Sequence, residues 1–134
     1  MNKKQEIEKM EIDTGYLNYE FSKKLKDLGY DGMSLMLYIK DAHVGWYSKY
    51  ITNEIIDKLE NTTEESCVAA LRPFVFNWFD KKTDWLISIQ QVGKTEFGFT
   101  ISFDEENVIK SFSYSNRKIA EETCLKELIK KYIK

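Results

Sequence analysis

The stretch 74-FVFNWFDKKTDWLISIQQVGKTEFGFTISF-103 holds two of the three Trp and six of the eight Phe in a chain of 134 residues. How these rings are used decides the fold. Residues 74–79, 85–92 and 97–103 are apolar runs of strand length, and a fourth, 108–115, follows. The separators DKKTD, GKTE and DEEN are polar and short enough to close hairpins. Phe97, Phe99, Ile101 and Phe103 alternate with Gly98, Thr100 and Ser102, so each set shares one face of a strand. Trp85, Ile87 and Ile89 share a face in the same way, as do Val108, Phe112 and Tyr114. The first run is apolar on both faces, with Phe74, Phe76 and Trp78 against Val75 and Phe79. The pattern is that of an antiparallel meander. Each ring buries a large area, so Trp85, Phe97, Phe99, Phe103 and Phe112 are expected in a core between sheet and helices.

Helical patterns flank this region. Leu17, Phe21, Leu25 and Leu28 form one stripe, with Asp13 or Thr14 as the cap and Gly29 at the exit. The first ten residues read as one or two polar helical turns. Residues 33–39 are an apolar run that fits a buried strand or a helical turn equally well, and 40–47 reads as a loop. Ser48 is a suitable cap for a second helix carrying Ile51, Ile55, Ile56 and Leu59. The segment TTEESCVAALR reads as a further short helix stopped by Pro73. Asn116 caps a last helix in which Ala120, Cys124, Leu128 and Tyr132 form one row and Leu125 and Ile129 the next. The expected architecture is α+β: one domain over 1–134, with a four- or five-stranded antiparallel meander sheet covered by about three helices.

Composition narrows the function. Charged residues make up 31% of the chain, the formal charge is −2 and the pI is about 5.5. Only Arg72 and Arg117 stand among the 20 basic residues. Arginine is the better residue for bidentate phosphate contacts, so nucleic-acid binding is disfavoured. No apolar run is long enough to span a bilayer. Cys67 and Cys124, with no secretory leader at the start, suit two reduced thiols in a cytoplasmic protein.

The chemistry-bearing residues are sparse. His43 is the lone histidine, and no nucleophile elbow accompanies it, so a hydrolytic or transfer reaction through His43 is a minor reading. Zinc would need clustered Cys and His, which the sequence lacks. The glycines fit neither a P-loop nor a dinucleotide fingerprint. Asp104-Glu105-Glu106-Asn107 lacks calcium-loop spacing and suits a turn. The expectation is therefore a non-enzymatic protein without metal or cofactor that acts by binding. Trp46, Tyr47 and Tyr50 lie outside the strand pattern, and exposed aromatics there would form a partner-binding patch. An alternative ligand site, for a signalling nucleotide, would combine Trp78 for stacking with Arg72 and Arg117 for phosphate. A homodimer is compatible with either.

Three stretches carry a family resemblance. EIEKMEIDTGYLNYEFSKKL near the start, YSKYITNEIIDKL at 47–59 and IAEETCLKELIKKY at 119–132 together make up about a third of the chain. In that order they resemble the opening helix, the Tyr-Ser segment and the closing helix of the phage ABA sandwich domain family. Tyr50 stands where that family has an Asp, and the glycine spacing near Met10 is shifted by two. The resemblance implies a sheet with helices on both sides and a phage or prophage origin. It lends no catalytic residues. Taken with the missing catalytic constellation, it leads to the expectation of a small protein that inhibits a host defence protein by direct binding.

Overall fold

In the computed structural model, residues 14–40, 43–60 and 62–133 are described. The proposed turns in the first ten residues and a cap at Asp13 lie outside them. The first helix among the described residues, α1 (Tyr19–Asp27), is capped by Asn18, whose side chain accepts the Phe21 N–H at 3.0 Å. The stripe of Phe21 and Leu25 is buried as expected, but helix begins only after Leu17. Gly29, at φ +91°, ends it. The Gly29 N–H donates to Lys26 and the Tyr30 N–H to Leu25, both at 2.9 Å, and this closes the helix with a left-handed cap.

The apolar run after Gly32 is a strand, β1 (Ser34–Lys40), and it is followed by β2 (His43–Ile51). The segment read as a loop is thus the second half of a hairpin. The helix expected over Ile51 to Leu59 shrinks to a single turn, α2 (Asn53–Ile56), capped by Thr52 rather than Ser48. TTEESCVAALR forms no helix; it supplies β3 (Cys67–Val68), which pairs with Leu37 and Tyr38 of β1. Asn53 ties this region together. Its amide donates to the Tyr30 carbonyl at 3.0 Å, and its Oδ1 accepts the Val68 N–H at 2.9 Å.

The largest departure is at 74–79. These residues belong to a helix, α3 (Arg72–Lys82), with Pro73 in its first turn. Proline suits that position because the amide it lacks has no helical partner there. Arg72, Val75, Trp78 and Phe79 are buried and Phe74 is exposed. That is helical spacing. A short run apolar on all sides does not reveal its period, so strand and helix read alike until it is packed.

The remaining meander is as expected: β4 (Leu86–Gln91), β5 (Phe97–Ser102) and β6 (Val108–Tyr114) form an antiparallel sheet in that order. At the β5–β6 turn, the Asp104 carboxylate accepts the N–H groups of Glu106 and Asn107, each at 2.8 Å. Hydrogen bonds from Asn107 and Glu106 hold that carboxyl below the usual range. A bulge interrupts β6 opposite Gly98, where Ser113 takes φ +87°. It flips the side-chain alternation. Tyr114 turns inward to stack on Phe99, while Val108 and Phe112 are exposed. The shared inward face of Val108, Phe112 and Tyr114 is therefore wrong, and Phe112 leaves the expected core. Its ring lies over Gly98, where an added Cβ would sit 2.1 Å from Phe112 Cδ1.

The last helix, α4 (Arg117–Tyr132), is capped by Asn116 and packs on this second sheet, most closely on β5. The fold is thus α+β with two three-stranded antiparallel sheets, β2-β1-β3 and β4-β5-β6, and four helices among the described residues, in place of one meander and three helices. Leu37 and Val68 of the first sheet join Phe99, Ile101, Leu125 and Leu128 in one buried cluster.

Candidate functional site

The three aromatics singled out in the sequence stand on β2, the outer strand of the first sheet. Trp46 is 65% exposed, Tyr47 41% and Tyr50 56%. The exposure of Tyr47 and Tyr50 follows from the register. Trp46 faces Met36 and Ile51 faces Ser34, so five steps along β2 match only two along β1. Four residues, 47–50, stand against Leu35 alone and bulge from the ladder. Trp46 is braced from below by an edge-on contact with Tyr16, with ring centroids 6.0 Å apart. Tyr16 and Tyr19 in turn pack on a small buried cluster of Met36, Tyr38, Cys67 and Ala69. Tyr38 fixes this cluster to the segment leading into α1 by donating its hydroxyl to the Leu17 carbonyl at 2.7 Å. Val44, exposed and directly across from Tyr38, lengthens the apolar ridge. The site is a ridge of exposed aromatics along a sheet edge, in which Trp46 is backed by the Tyr16 ring.

The alternative ligand residues are not gathered into one place. Arg72 and Arg117 do meet, but over a carboxylate. Arg72 Nε lies 2.9 Å from one oxygen of Glu121 and Arg117 Nε 3.0 Å from the other. Trp78 lies six residues further along α3, roughly 9 Å at 1.5 Å per residue, and on another face. It sits instead in a ring cluster with Tyr30, Phe79 and Tyr132. It also lines a groove of about 450 Å³ whose other residues include Gly32, Met33, Phe74 and Lys81. The sequence reading missed this groove because it placed Phe74 in a strand and Lys81 in a turn. The signal was present as the helical spacing of Phe74, Asn77, Trp78 and Lys81.

His43 is exposed, and its Nδ1 lies 3.1 Å from the Lys40 carbonyl oxygen, so that nitrogen carries the proton in this contact. Cys67 and Cys124 are buried free thiols, and burial pushes them up to about 11 and about 12. They therefore stay as thiols at neutral pH and are poor nucleophiles. Among the described residues, no three His, Cys, Asp or Glu side chains are grouped so as to hold a metal ion, and no helix is long and apolar enough to cross a membrane.

The fold and the ridge together define an α+β protein with an aromatic surface on a sheet edge. No family model matches the chain. No curated protein and no solved structure matches it either.

Proposed function

We propose that this chain is a non-enzymatic binding protein that seats a partner protein on the β2 ridge, and that it serves a phage or prophage by inhibiting a host defence protein in the cytoplasm. The observation that carries the binding part is the exposure of Trp46, Tyr47 and Tyr50 together on one edge strand. Large aromatics are costly to leave in water and are the residues on which interface energy concentrates. The ridge is also preorganised, since Tyr16 braces Trp46 before any partner arrives. The inhibitory role and the phage origin rest on the sequence resemblance and on the acidic, arginine-poor composition.

A photo-crosslinking residue placed at Trp46 in host cells tests this. The expected outcome is one host protein crosslinked in good yield, with binding lost when Tyr47 and Tyr50 are changed to alanine. The purified partner should then lose its activity on titration with the wild-type chain. A crosslink only to a second copy of the chain, or capture that survives the alanine changes, would overturn the reading.

A further inference from the structure

The groove beside α3 has features that the β2 ridge does not explain. Its walls are Met33 and Phe74, both exposed, and its floor includes Gly32 and Trp78. Lys81 and Lys82 stand at the rim with Asp31, which leaves one net positive charge. Two donors are buried close by, one on Trp78, which lines the groove, and one on Tyr30, which lies behind the lining. The Trp78 indole N–H and the Tyr30 hydroxyl have no hydrogen-bond acceptor among the described residues. The Tyr30 hydroxyl lies directly behind Gly32, where an added Cβ would come 2.0 Å from it. The two rings touch edge to face at 5.8 Å. Native structures rarely leave two neighbouring buried donors unpaired, and where they do, the pair calls for an explanation.

We infer that this groove is a binding site for a small planar aromatic anion. A carboxylate or phosphate supplies what the floor and rim both lack: an acceptor for the orphaned Trp78 N–H and a negative charge for Lys81 and Lys82. An aromatic body suits the walls, because a phenyl ring and a thioether both pack well on a ring. The volume falls in the range of small-molecule sites. This site is independent of the β2 ridge and uses neither arginine.

The test follows the indole N–H signals of the ¹⁵N-labelled full chain by NMR, with Trp78 assigned by elimination in Trp46→Phe and Trp85→Phe. The probes are indole-3-carboxylate, AMP and uncharged indole. The Trp78 signal should move saturably with at least one anion at a Kd below roughly 1 mM, while Trp46 stays still. A response to the carboxylate alone or to AMP alone identifies the head group. Lys81→Glu with Lys82→Glu, both on the exposed side of α3, should weaken binding roughly ten-fold or more, and Phe74→Ala similarly. Indole should bind more weakly than either productive anion. A Trp78 signal unmoved by both anions, or moved equally in the charge-reversed variant, would overturn the assignment.

Discussion

The Glu121 carboxylate on α4 holds Arg72 on α3 at 2.9 Å, and the arginine is almost wholly buried. The same carboxylate takes the exposed Arg117 with its other oxygen. One carboxylate thus serves two guanidinium groups in very different surroundings. Glu121→Gln removes one charge-assisted hydrogen bond from the buried cation and is expected to cost about 2 kcal/mol. Arg117→Ala removes a solvent-screened pair and should cost less than about 1 kcal/mol. Urea unfolding of the two variants measures the difference.

Asn53 makes a sharper demand on the core. Its amide joins the turn at Tyr30 to β3 through two backbone groups, and all of these atoms are buried. Asn53→Ala strands both a carbonyl and an N–H, each worth about 1–3 kcal/mol. The expected loss is roughly 2–6 kcal/mol in the same unfolding measurement. Asn53→Asp should fail to rescue it, because a carboxylate cannot donate to Tyr30.

Gly98 is required by β6 rather than by its own dihedral angles. A methyl group there meets both the Phe112 ring and, at 2.5 Å, the Ser111 carbonyl oxygen. Phe112 can rotate away, but the backbone oxygen of a paired strand cannot. Gly98→Ala should therefore destabilise the second sheet, and Phe112→Ala added to it should restore little. Hydrogen exchange of the β5 and β6 amides reads this directly.

Stability should also fall at alkaline pH. Burial raises Cys67 from 9.0 to about 11, Cys124 from 9.0 to about 12, and Tyr30 from 10.0 to about 12. Each group ionises in the unfolded chain before it does so in the folded one. Their contribution is complete below pH 9 and is lost as pH rises toward 12. The urea midpoint should hold from pH 7 to 9 and decline above it. Cys67→Ala with Cys124→Ala should flatten the decline, which separates the thiols from lysine titration.

Truncating the ridge should leave the fold intact. Tyr47→Ala and Tyr50→Ala remove exposed side chains and should shift stability by no more than about 0.5 kcal/mol. Trp46→Ala also breaks the contact with Tyr16 and should cost about 0.5–1.5 kcal/mol. Thermal unfolding checks all three, and a larger loss would mark them as core.

The sequence by itself determined those elements whose period survives in isolation. The C-terminal helix shows its buried rows at Cys124, Leu125 and Leu128, and β4 and β5 show their alternation at Ile87, Ile89, Phe99 and Ile101, because each has one wet face and one dry one. The α+β class follows from the same patterns. Tertiary structure decided the rest. Residues 74–79 are apolar almost all round, so only packing against α4 and the turn at Tyr30 selects helix over strand. Residues 43–51 have little burial to alternate, and β2 exists because β1 offers it a backbone ladder. The groove at Trp78 likewise depends on the meeting of two segments some forty residues apart, a juxtaposition that hydrophobic period, a local quantity, does not encode.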